Sequence, residues 1–152
     1  MKIVIIYAYY ESPSSVYNLK FFVKKELSLK SNIDYVIVIN GEVCSVNIPD
    51  LPNLKIIRRE NTGYDFGAHS IALKNISRNY DYYFFMNSGV IGPILPHYFP
   101  KNIHWSKIFT NKINGNIKLV GTTIVCLPPS DAGGYGPKVE GFFFMTDKIK
   151  FF

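Results

Sequence analysis

The stretch Arg58-Arg59-Glu60-Asn61-Thr62-Gly63-Tyr64-Asp65-Phe66-Gly67-Ala68-His69 sits between an apolar run, Leu54-Lys55-Ile56-Ile57, and a segment beginning near Ala68 in which Ile71, Leu73 and Ile76 supply one apolar face of a helix. Two glycines, an amide, two carboxylates and two arginines in so short a span read as a strand-to-helix turn with ligand contacts. A buried strand brings the chain to the sheet edge. Glycines then let the backbone pass close to a ligand, and the new helix offers unpaired N–H groups to an anion. A plain connector is the competing reading, but it has no need of this many polar groups beside glycines.

Working outward, Lys2 to Tyr10 is an unbroken β-branched and aromatic run, as expected of a central strand covered on both faces. Ser12-Pro13-Ser14-Ser15 supplies a cap and an early proline, and Val16, Leu19, Val23 and Leu27 follow at helical spacing. Tyr35 to Ile39 predicts a second strand stopped by Asn40-Gly41, and Leu54 to Ile57 a third. Downstream, Tyr82-Tyr83-Phe84-Phe85-Met86 predicts a fourth strand that empties into Asn87-Ser88-Gly89. Pro93, Pro96 and Pro100 mark an irregular loop, which Tyr98, Phe99 and Trp105 fold onto the body. Lys118 to Cys126 and Val139 to Met145 each read as one further strand, separated by a Pro/Gly-rich stretch. The alternation predicts an α/β, Rossmann-like layered fold: a mostly parallel central sheet flanked by helices, with a site at the carboxyl ends of the strands. Three polar clusters are expected to converge there: Asn61 to Gly67, Asn87 to Gly89, and the loop after Cys126.

Length and composition bound the rest. One domain spanning 1–152 is expected, burying about two-thirds of its unfolded surface. Hydrophobic residues make up 47% and charged residues 18%, which excludes a disordered chain and a coiled coil. The net charge of +6 favours acidic partners, although lysines beside Ile, Asn, Tyr and Phe also match an A+T-rich coding bias. Cys44 and Cys126 lie far apart and lack ligand-spaced histidines, so a reducing, cytoplasmic setting is expected, with no zinc site, disulfide framework, signal peptide or membrane span.

The blocks Arg59-Glu60-Asn61-Thr62-Gly63-Tyr64-Asp65-Phe66-Gly67-Ala68, Phe84 to Pro93 and Lys118 to Thr123, with a looser block at Val139 to Phe144, resemble successive motifs of glycosyltransferases with the A-type nucleotide-sugar-binding fold. The nearest are the rhamnan-synthesis F-type enzymes and related proteins of microbial eukaryotes and large viruses; a viral chain would act in the host-cell cytoplasm. The resemblance covers nearly the whole chain, to about residue 147. It implies a glycosyltransferase of hexosyltransferase type that moves a sugar from a nucleotide sugar, such as a UDP-sugar, to a glycan or glycoprotein acceptor in polysaccharide biosynthesis. Enzymes of this fold usually carry more sequence for the acceptor, so the domain is expected to be short on that side.

On that resemblance Asn61 and Asp65 read base or ribose, Gly63 and Gly67 allow close backbone approach, and Arg59 neutralises diphosphate charge. Asn87 and Ser88 handle the diphosphate across the crevice. A-type enzymes usually hold Mn²⁺ or Mg²⁺ with D-x-D after the fourth strand. Here that place reads Asn87-Ser88-Gly89, so a metal cofactor is an open expectation. For an inverting transfer Glu140 is the first candidate base and Asp131 the second. His69 is read as a phosphate contact or, more simply, as a surface helix residue, and His97 and His104 flank the proline-rich loop. An inactive, nucleotide-binding relative is the second reading. A nucleic-acid-binding protein is the third, supported only by charge and aromatics.

Overall fold

The computed structural model describes residues 1–76 and 79–147. The chain runs β1 (Ile3–Tyr10), α1 (Pro13–Lys25), β2 (Ile33–Asn40), β3 (Leu54–Arg59), α2 (Tyr64–Lys74), β4 (Tyr82–Asn87), α3 (Lys107–Thr110), β5 (Leu119–Gly121), β6 (Ile124–Leu127), β7 (Gly136–Val139) and β8 (Phe143–Asp147). It is an α/β fold with a six-stranded sheet ordered β3-β2-β1-β4-β8-β5, plus a two-stranded sheet of β6 and β7. The first four in that order are mutually parallel, β8 runs antiparallel to β4, and β5 antiparallel to β8.

β1 is central, as its composition predicts. Because successive side chains point to opposite faces, it feeds two cores. Ile3, Ile5, Tyr7 and Tyr9 pack with Leu19 and Phe22 of α1 and with Trp105, whereas Val4, Ile6 and Ala8 pack with Ala68 and Ala72 of α2. The register Ile33↔Ile3↔Tyr82 keeps both faces aligned across three strands. A one-residue slip would exchange the two cores.

Two expectations are corrected. α2 begins at Tyr64, not near Ala68: Gly63 adopts a left-handed conformation (φ +71°) as N-cap, and Gly67 N–H reaches Gly63 O at 2.8 Å to close the first turn. The last two apolar runs are also not single strands. Between the pairs Gly121↔Phe144 and Ile124↔Val139, Thr122-Thr123 face the longer Glu140-Gly141-Phe142-Phe143. The longer strand must bulge, which divides each run into two short strands and bends the hairpin.

At the amino-terminal edge of the sheet a buried carboxylate ties the proline-rich segment to the body. Glu26, 2% exposed, accepts from Trp105 Nε1 at 2.6 Å, Tyr35 OH at 2.8 Å, His104 Nε2 at 3.0 Å and Lys30 Nζ at 3.1 Å. Burial pushes this carboxyl up, but the His104 hydrogen bond and the His104 and Lys30 charges outweigh it and hold the group below its ordinary range. Ser106 Oγ bonds His104 Nδ1 at 2.8 Å. The Ser106–His104–Glu26 chain has the connectivity of a nucleophile, base and acid, yet Ser106 is 1% exposed, so a substrate cannot reach it. Its work is to anchor the loop. Glu26→Ala, which removes the shared acceptor of four donors and leaves the buried Trp105 Nε1 without it, is expected to lower unfolding free energy by about 3–5 kcal/mol in urea titrations, with Glu26→Gln losing less.

Candidate functional site

The chain winds from β1 through α1 to β2 and β3 on one side, then returns through α2 to β4 on the other. The topological switch point therefore lies between the carboxyl ends of β1 and β4, where open α/β sheets bind ligands. Ser88 stitches that point together. Its N–H donates to Ala8 O (2.9 Å), its carbonyl accepts from Asn18 Nδ2 (2.9 Å), and its hydroxyl faces Tyr10 N–H (3.5 Å). Ser88 is buried, and its backbone and hydroxyl are engaged in these contacts.

Asn87 carries the most informative contact. Its Oδ1 accepts from Gly89 N–H at 2.9 Å, which fixes the amide's orientation, and its Nδ2 then donates to Asp65 Oδ2 at 2.5 Å. The sequence motifs at 65 and 87 thus form one site and do not face each other across a crevice. α2 supplies the carboxylate that the end of β4 lacks. The N–H groups of Tyr64, Asp65 and Phe66 precede the first intrahelical bond and find no partner among the described residues, so this turn presents donors beside the pair. Tyr64 is held at φ 48°, left-handed like Gly63 before it. Such strain in a non-glycine residue persists only where surrounding structure imposes it.

Arg59 turns inward, opposite to an outward diphosphate clamp. Its guanidinium donates to Asn40 Oδ1 at 2.8 Å and to the Thr62 carbonyl, bracing the loop. Gly67 lies against that brace: a Cβ there would run into the Thr62 carbonyl and come within 3.1 Å of the guanidinium. The missing Cβ at Gly67 is what lets loop and helix pack this closely. Asn61 is exposed at the loop crest.

Glu140 sits half-buried at the start of the bulge, its N–H bonded to Thr123 O at 3.1 Å. The same bulge crosses the end of β4, where Asn87 N–H donates to Phe142 O at 3.1 Å, and a Cβ at Gly141 would stand 3.5 Å from the ring of Phe66 on α2. Its backbone therefore joins the Asp65–Asn87 region. Asp131 has a different job. Exposed near the tip of the β6–β7 hairpin, it accepts from Gly133 N–H at 2.7 Å and stabilises the turn. The loop after Cys126 makes no hydrogen bond to Asp65 or Asn87 among the described residues.

Glu11 and Asn40 were missed by sequence reasoning. Glu11 follows β1 directly at the switch point and accepts from Tyr9 OH (2.6 Å), Ser45 Oγ (2.6 Å) and Ser45 N–H (3.1 Å), which hold its carboxyl below the usual range. The available signal was position alone: a polar residue immediately after the central strand.

No group of three or more potential His, Cys, Asp or Glu metal ligands occurs among the described residues. At Asp65 the Asn87 NH₂, not its oxygen, faces the carboxylate, so the pair as arranged does not fit a divalent cation between them. His69 is neither a surface residue nor a phosphate contact. It is 3% exposed among Phe66, Phe85 and Phe144, both ring nitrogens lack partners among the described residues, and burial lowers its pKa to about 4.

Comparison with family models, curated proteins and solved structures yields no match to this chain.

Because the His69 pKa is depressed in the fold, its contribution to stability is complete above the unfolded value of 6.5 and drains away as pH falls toward 4. Between pH 7 and 5 this is about 2 kcal/mol. Denaturant titrations should show that decline, and His69→Leu should flatten it. Gly67→Ala should lower the melting temperature by several degrees through the clash with Thr62.

Proposed function

We propose that this chain is a glycosyltransferase of the A-type fold, moving a sugar from a nucleoside diphosphate donor to a hydroxyl of a glycan or glycoprotein. The observation that carries the reading is the meeting of Asp65 and Asn87 at the switch point, beside the donors at the start of α2. A nucleotide sugar needs a carboxylate for ribose hydroxyls and fixed N–H groups for phosphate oxygens, and both chemistries stand together here. Asp65 Oδ1, unlike Oδ2, is not engaged by Asn87 and would accept from a ribose hydroxyl. Asn61 would read the base edge. The first-turn N–H groups of α2 would take the diphosphate, with Arg59 holding the loop and adding positive potential.

Glu140 is the proposed base. Its carboxylate would take the acceptor proton as the acceptor oxygen attacks the anomeric carbon, and the bond from that carbon to the diphosphate oxygen would break with its electron pair leaving on the phosphate. No hydrogen bond or ion pair engages the Glu140 side chain among the described residues, which leaves it free for that proton. A second reading, a nucleotide-binding domain without turnover, is favoured by Asn87 standing where a metal-binding carboxylate is expected.

The test is nucleotide release from a panel of UDP-, GDP- and dTDP-sugars, with and without Mn²⁺ or Mg²⁺, together with thermal shifts for each donor. Transfer predicts release with at least one donor. Asp65→Asn is expected to abolish the donor's thermal shift, and Glu140→Gln to cut turnover by 10²-fold or more while keeping the shift. A thermal shift without release identifies the binding domain. Neither signal with any donor would sink the nucleotide-sugar reading.

A further inference from the structure

A second concave face lies at the amino-terminal edge of the sheet, away from the Asp65–Asn87 pair. It encloses about 960 Å³, between the end of α1 and the proline-rich segment. Three aliphatic side chains at its wall project into solvent: Ile94 (66% exposed), Leu95 (39%) and Ile103 (43%). Lys25, Lys101 and Lys107 line the same face and are exposed. The carboxylate on this face, Glu26, is buried and occupied by its four donors, and Asp81 nearby pairs with the terminal amino group at 3.7 Å. From Ser88 through Ser130 the chain holds no Asp or Glu at all, while it holds Lys101, Lys107, Lys112 and Lys118.

We propose that this face docks the protein onto an anionic lipid bilayer. Exposed aliphatic groups interleaved with lysines, with the nearby carboxylates internally paired, suit a surface that is apolar just below a negatively charged plane. A second copy of the chain is a poor occupant, because two such faces would bring lysines against lysines. Nucleic acid would leave the protruding isoleucines and leucine without a partner. Docking through this edge points the carboxyl edge, and the Asp65–Asn87 pair with it, away from the bilayer. The proposal stands independently of glycosyl transfer.

Flotation of the full chain with vesicles tests it. Phosphatidylcholine vesicles containing about one-third phosphatidylserine should carry the protein, pure phosphatidylcholine vesicles should not, and 0.5 M NaCl should release it. Lys101→Ala with Lys107→Ala should weaken partitioning about 30-fold. Ile94→Asp with Ile103→Asp should weaken it further while circular dichroism stays unchanged. A charge-matched control, Lys55→Ala with Lys74→Ala on the α2 side, should bind as the unmodified chain does. The proposal fails if anionic vesicles do not carry the protein, if neutral vesicles carry it equally, or if the control loses binding as much as the test variant. It fails equally if sedimentation shows a dimer that Ile94→Asp dissociates, or if the face binds an oligonucleotide in preference to the vesicles.

Discussion

Burial of β1 on both faces is the constraint from which the remaining structure follows. A strand with no exposed face must be covered by a helix on each side, and a parallel sheet with right-handed crossovers delivers those helices. α1 and α2 then lie on opposite faces, with the aromatic segment around Trp105 completing the α1 side. The same winding creates a switch point between β1 and β4. Polar residues gather there because the strands end, not because the core tolerates them.

The two edges of the sheet handle charge in opposite ways. At the amino edge Glu26 is buried and saturated by Trp105, Tyr35, His104 and Lys30, an arrangement that fixes a loop and leaves nothing for a ligand. At the carboxyl edge Asp65 shares one oxygen with Asn87, and the adjoining turn of α2 has donors without a partner among the described residues. Saturation marks structure. Partial satisfaction beside a strained Tyr64 marks a place where another molecule can complete the bonding.

Much of this was legible in the sequence, for identifiable reasons. The run from Ile3 to Tyr10 announced a strand buried on both sides, and the glycines and polar groups from Asn61 to Gly67 announced the turn at the end of β3. What periodicity could not show was which residues meet. The Asp65–Asn87 contact joins residues far apart in sequence, and the inward turn of Arg59 depends on Asn40, which looked like a strand stop. His69 reads as a surface residue until α2 is seen to press it against Phe85 and Phe144. The bulge at Glu140 was hidden because an apolar run carries no signal of unequal pairing with its partner.

The claim that the carboxyl edge between β1 and β4 is the ligand site is tested most directly by amide NMR. With backbone resonances assigned, UDP would be titrated into the protein and the shifted amides located on the fold. The account predicts saturable changes concentrated at Asn61 to Gly67 and Asn87 to Gly89. Saturable changes centred on His104 and Trp105 at the opposite edge, or no change with millimolar UDP and, in repeat titrations, GDP and dTDP, would contradict it.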